Sequence, residues 1–280
     1  MGREGRSFQT PPIAWKTVCQ AKKHGGLGIK DFEAWNNALI AKLVWAVATK
    51  KDVLWVKWVH GRYLKHQDWW SYNPPLDCSW TWKKICNTKE KFKSGCCGTG
   101  LWDFQGSRHY TPRDGYRWLK GGDTVPWHRL IWSRASIPRH AFIAWIFMQG
   151  RLNTKHRLRR FISTTDIMCP FCQSSEEDDV HLFSACSYTL QVWNRIQAWW
   201  PLPPHQHTKH LATELLCMKK PRAYKHLSYA IFSATIYFIW WARNQVVFNN
   251  HCIPPDQLVR LITDHIKHRT AYLASVSTQY

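Results

Sequence analysis

Apolar side chains recur along most of this chain at intervals of three and four, the spacing of helices packed on one face. After the glycines of GGLG, Phe32, Trp35, Leu39, Leu43 and Val47 fall into one apolar stripe. Asp31 stands where a helix N-cap belongs. A second helix is predicted over Val53–Leu64, carrying Leu54, Trp55, Trp58, Val59 and Tyr63. SYNPPLD then breaks the chain, and Ser79–Lys93 reads as a further helix built on Trp80, Trp82 and Ile85. The stretch Gly100–Gly122 departs from this period. Its short aromatic runs between Gly and Pro predict a small β-hairpin, around Leu101–Phe104 and His109–Thr111, leading into a short helix.

Helical spacing returns at PRHAFIAWIFMQ, opened by Pro138 and closed by Gly150. In RLNTKHRLRRFISTTD, Asn153 or Thr154 caps a short helix. Leu158, Phe161 and Ile162 turn inward there, with Lys155/Arg159 and His156/Arg160 pairs along the outside. Tyr188–Trp200 predicts an amphipathic helix on Leu190, Val192, Trp193 and Ile196, followed by the linker PLPPHQH. The remainder, Leu211–Tyr280, is helical with a break at NNHCIPPD. The expected fold class is mainly α, with a small β-hairpin region and a Cys-Cys-His-Cys knuckle.

Charge changes the picture more than size does. Lys and Arg outnumber Asp and Glu by 39 to 18, a net charge of +21, which favours a polyanionic partner, nucleic acid before membrane. The nineteen tryptophans demand a folded core. MGREGRSFQTPP reads as a flexible leader without the apolar stretch of a secretory signal, so an intracellular protein is expected, nucleus or cytoplasm left open. The most apolar segment, Ala230–Ala242, is shorter than the roughly 20 residues that cross a bilayer and ends at Arg243; it reads as a buried core helix. The ten cysteines are then expected as thiols or metal ligands.

The densest chemistry is CPFCQSSEEDDVHLFSAC. Cys169 and Cys172 make a C-x-x-C turn, and His181 and Cys186 follow at short spacing. Zinc takes four tetrahedral N or S donors, and a C-x-x-C turn supplies two thiolates from one knuckle. On a continuous helix His181 and Cys186 would point about 140° apart at roughly 100° per residue, so a shared metal requires a kink or loop near Ser184–Ala185. A redox pair would call for a βαβ context that is missing. Four protein ligands leave no position for water, which makes the expected site structural, with one Zn²⁺ per chain. Glu176, Glu177, Asp178 and Asp179 make the knuckle acidic, so a phosphate contact is expected instead on the basic stretch before it: Arg151, Lys155, Arg157, Arg159 and Arg160. A solvated basic face accounts for those residues equally well.

The cluster, with VPWHRLIWSRASIPRHAFIAWIFMQGRLNTKHRLRRF before it and SYTLQVW after it, resembles the zinc-binding domain of plant non-LTR retrotransposon reverse transcriptases. PIAWKTVCQAKKHGGLGIKDFEAWNNALIAKLVW looks like the segment that links polymerase to zinc domain in those polyproteins, and IYFIWWARNQVVFNN is similar to the helix that follows. The resemblance implies that Cys169, Cys172, His181 and Cys186 are the ligands. It implies four segments: a leader 1–12, a post-polymerase linker region 13–99, the zinc-binding domain 100–200 and a C-terminal helical segment 201–280.

The polymerase's metal-binding aspartates, adjacent and preceded by an aromatic and a small residue, are missing; Asp178–Asp179 follows two glutamates inside the knuckle. The expectation is a non-catalytic module that binds RNA or DNA through the basic helix. Two rival readings remain: a protein-interaction module docking a basic partner on Glu176–Asp179, and a retrotransposon remnant with no selected function.

Overall fold

The computed structural model describes residues 11–95, 109–161 and 166–277. The Leu101–Phe104 half of the expected hairpin, the inward role of Ile162 and nearly all of the leader lie outside the described residues. The chain forms two compact units, one of Trp15–Asp123 and one of Thr124–Tyr280 with Met1–Ala14. Among the described residues both are helical, and β pairing is confined to an isolated bridge between Met168 and Glu176.

In the Trp15–Asp123 unit, helix α1 (Phe32–Ala48) starts where its cap predicts: Asp31 Oδ1 accepts from Ala34 N at 3.1 Å. Helix α2 (Leu54–Val59) runs into a π-turn over His60–Leu64, and α3 (Trp80–Phe92) is capped by the Ser79 hydroxyl. Val47, Val59, Leu64, Trp69, Trp82 and Cys86 make the core. Lys89, fully buried, donates its ammonium to the carbonyls of Trp69 and Tyr72 and so satisfies a turn that water cannot reach.

The apolar faces differ from the expected ones. In α1 the buried positions are Ala38, Ala41, Val44 and Val47, whereas Phe32 is 79% exposed and Leu39 and Leu43 are open to solvent. The alanines win because α1 packs against both α3 and α4 (Pro112–Leu119), and small side chains let helices approach closely. Leu54, Trp58 and Trp80 are likewise exposed, whereas Val59, Trp82 and Ile85 go inside as expected, joined by Val56.

No hairpin strand forms at His109–Thr111. Thr111 instead caps α4, accepting from Asp114 N at 3.2 Å, with Pro112 in the first turn. Thr-Pro-x-Asp is a helix start, and that local signal prevails over aromatic alternation. Tyr110 lies across α1 with its hydroxyl donating to Ala38 O at 2.6 Å. Gly115 is required beneath it, since a Cβ there would meet the Tyr110 hydroxyl at 1.8 Å.

The Thr124–Tyr280 unit holds α5 (Pro138–Met148), α6 (Ser187–Trp199), α7 (Thr208–Cys217), α8 (Arg222–Asn249) and α9 (Pro255–Ser277). Pro138 opens α5, and Gly150, at φ +62°, turns the chain after it. Helix α8 is buried along its middle from Ser228 to Arg243 and packs on α5 and α9; α9 packs in turn on α6. Residues 201–280 thus share a core with 124–200. No helix among the described residues is long and apolar enough to cross a membrane.

Candidate metal centre

The knuckle begins at a pinched pair of extended segments. Glu177 N donates to Ile167 O and Cys169 N to Ser175 O, each at 2.8 Å, and the turn between carries Cys169 and Cys172. The backbone N–H groups of Phe171 and Cys172 donate to Cys169 sulfur, and those of Tyr188 and Thr189 to Cys186 sulfur. Such bonds favour thiolate over thiol. Phe171 stacks on Tyr188 at 4.0 Å, and the Tyr188 hydroxyl donates to Ile253 O, so the knuckle is seated on the core by an aromatic pair.

The second half of the site comes from one irregular helical turn. Asp178 Oδ1 accepts from His181 N at 2.6 Å and starts it. The chain then winds as a π-turn over His181–Ala185, with Cys186 N donating to His181 O at 2.8 Å. An i→i+5 turn stacks Cys186 almost over His181, which removes the angular mismatch of an α-helix. Cys186 itself is extended and begins α6. The expected break is therefore present, but made by under-winding and placed at Cys186 rather than as a loop at Ser184–Ala185. The Phe183 carbonyl is satisfied by Thr208 Oγ1 at 2.6 Å and Trp193 Nε1 at 3.0 Å.

The donor atoms of Cys169, Cys172, His181 and Cys186 all lie within 4.8 Å of one another. Cys169 and Cys186 sulfurs are 3.8 Å apart, and Cys172 sulfur is 3.2 Å from His181 Nε2. For Zn–S bonds of about 2.3 Å, a tetrahedron places two sulfurs roughly 3.8 Å apart. The donor set fits zinc in identity, number and spacing. Cys169 donates its proton to Cys186; that bond and burial push the Cys169 thiol up, while the same bond holds Cys186 below the usual thiol range.

Each of the four acidic side chains has an internal partner. Glu177 is completely buried and meets Arg243 of α8 in a two-pronged pair, Nε–Oε1 2.8 Å and Nη2–Oε2 3.0 Å. Glu176 pairs with His156 at 3.3 Å and Asp179 with Lys209 at 2.7 Å, while Asp178 caps the π-turn. Arg243, Lys209 and Thr208 were not assigned roles from sequence, and Trp193 was read only as part of an apolar helix face. Arg243 had a signal: a cation closing an apolar helical run must find a buried partner.

The basic stretch is less of a helix than expected. Only Lys155–Leu158 is helical, and Phe161, expected inside, is 65% exposed. Thr154 is the N-cap but makes no side-chain cap bond. Lys155 is taken by Asp166 at 2.6 Å. Arg157 is half-buried; burial, then the charges of Arg151 and Arg160, lower its pKa. Arg151, Arg159 and Arg160 are exposed.

A helical scaffold holding a closed Cys₃His set defines a class: a domain with a structural-type metal centre. The family model described as zinc-binding in reverse transcriptase matches residues 110–193, from Tyr110 to Trp193, which include all four metal-site residues. Residues 110–193 thus carry the sequence of a reverse-transcriptase zinc-binding domain. Two similar proteins come from Arabidopsis thaliana. A putative ribonuclease H protein is 30% identical over 113 residues, 39% of this chain and 17% of its own length. An uncharacterized mitochondrial protein is 27% identical over 88 residues, 31% of this chain and 57% of its own length. The chain thus spans only part of either relative. No solved structure matches it.

Proposed function

We propose that this chain is a non-catalytic module of a non-LTR retrotransposon reverse transcriptase, in which one structural zinc on Cys169, Cys172, His181 and Cys186 holds a basic surface against RNA or DNA. The observation that carries this is the closure of the donor set within 4.8 Å, which leaves no ligand position for water or substrate. When bound, zinc supplies a cross-link between the knuckle and the start of α6. The chain's own residues do the rest: Glu176 and Asp166 tether His156 and Lys155, and Arg151, Arg159 and Arg160 are left exposed for phosphates. Arg157 adds charge from a half-buried position. The acidic knuckle is the weaker candidate for docking a basic partner, because its four carboxylates already have partners within the chain. The adjacent aspartates Asp178 and Asp179 serve a turn and an ion pair, which accords with a chain that does not polymerise.

The test has two arms. Purified protein should carry one zinc per chain, and Cys172→Ser should lose it together with helix content in circular dichroism. Binding of a labelled oligonucleotide should weaken steeply with salt, and Arg159→Ala/Arg160→Ala should flatten that slope by about 1–2 in log–log terms. Metal-free wild-type protein with unchanged unfolding would remove the zinc claim, and salt-independent binding would remove the nucleic-acid claim.

A further inference from the structure

Within the Thr124–Tyr280 unit, the first turns of α8, the backbone at residues 134–135 and the C-terminal part of α9 line an open pocket of about 400 Å³. Its walls include Arg134, Arg222 and His226 together with Ala223, Leu227 and Leu273. Among the described residues no carboxylate lines it. The polar side is built rather than accidental. Arg222 Nε donates to His226 Nε2 at 3.3 Å, so the other ring nitrogen carries the proton and donates to Ser133 Oγ at 2.8 Å. Burial first, then Arg222 and Arg134, lower the His226 pKa, which favours the neutral ring. Arg269 donates to the carbonyls of Arg134 and Ala135 and fixes the backbone that carries Arg134.

Two exposed guanidinium-bearing residues at the rim of one apolar pocket, with no carboxylate among its described lining, suit an anion. Arg222 spends only its Nε on the histidine, and its terminal amino groups suit a phosphate's oxygens. The apolar side chains of the lining suit a flat ring. A volume near the lower end of the usual ligand-pocket range, roughly 300–1,000 Å³, admits one nucleotide and excludes a duplex. From these features we infer that the cavity binds a single nucleotide unit, its phosphate on Arg134 and Arg222 and its base against Ala223, Leu227 and Leu273. The occupant is an unstacked nucleotide of a single strand, and in that respect the inference rests on the nucleic-acid reading above. It adds a contact apart from the Arg151–Arg160 stretch and gives that contact a chemical preference for single strands.

The experiment uses the full zinc-loaded chain, with adenosine monophosphate, inorganic phosphate and a single-stranded oligonucleotide as probes. Adenosine monophosphate should bind, inorganic phosphate should bind more weakly, and the oligonucleotide should compete with the nucleotide. Arg134→Ala/Arg222→Ala should weaken oligonucleotide binding about tenfold. Ala223→Trp, at an exposed helical position that tolerates size, should fill the cavity and abolish binding of adenosine monophosphate while leaving zinc content unchanged. Nucleotide binding without oligonucleotide competition would support the pocket but assign it to free nucleotides. Oligonucleotide binding that is unaffected by all three substitutions, with no binding of adenosine monophosphate, would overturn the inference and leave the basic-stretch reading standing. A chain that binds nucleotide but no oligonucleotide would overturn both the single-strand occupant and the nucleic-acid reading, leaving a pocket for free nucleotides.

Discussion

At the scale of single residues, the most consequential contact is the buried pair of Glu177 and Arg243. Removing one partner strands the other charge away from water, so Glu177→Ala should destabilise the Thr124–Tyr280 unit by about 3–5 kcal/mol in urea unfolding. Glu177→Leu/Arg243→Met should cost clearly less than the sum of its single changes. Additive costs would mean the two side chains are not coupled. His140 makes a second residue-scale prediction. It is fully buried, neither ring nitrogen has a hydrogen-bond partner, and it lies among Tyr237, Phe238 and His265 with Arg139 beside it in sequence. Burial first, then Arg139 and His265, lower its pKa from 6.5 to about 3. A depressed folded-state value means the unfolded chain takes up the proton first. Stability from this group is therefore full above about pH 6.5 and is lost as pH falls toward about 3, by at most about 1.4 kcal/mol per pH unit. His140→Phe should flatten that slope relative to wild type when both are unfolded in denaturant between pH 7 and pH 4; an identical slope would refute the assignment.

At the scale of elements, the π-turn at His181–Ala185 aligns His181 with Cys186 and leaves a carbonyl at Phe183 that Thr208 and Trp193 satisfy. Thr208→Val keeps the shape and removes the hydroxyl, so it should cost about 1–3 kcal/mol and speed zinc loss to a chelator. Unchanged chelation kinetics would separate α7 from the metal site. This turn also marks what the sequence could and could not convey. The Cys and His residues were legible because metal donors are few in kind and closely spaced. The cap at Asp31 and the start of α5 at Pro138 were legible because they act within one turn. The carboxylates' roles were not, because their partners His156, Lys209 and Arg243 lie far along the chain and only folding joins them. The α1 face was misread for a related reason: apolarity alone favoured Phe32 and Leu39, whereas close packing against two helices selected Ala38 and Ala41.

At the scale of the whole molecule, two compact units with separate cores should not melt as one. Calorimetry is expected to resolve two transitions, of which only that of the Thr124–Tyr280 unit moves down when a chelator is added. A single transition that shifts as a whole would indicate one cooperative body. The family match ends at residue 193, yet the arginine that neutralises Glu177 stands at 243 and the carbonyl that holds Tyr188 at 253. The stretch recognisable by descent is therefore not the stretch that folds. Exchanging residues 110–193 between two relatives would transplant every metal ligand and still separate the glutamate from its own arginine. Such chimeras should survive only where the recipient's equivalent of α8 offers a cation at the matching turn.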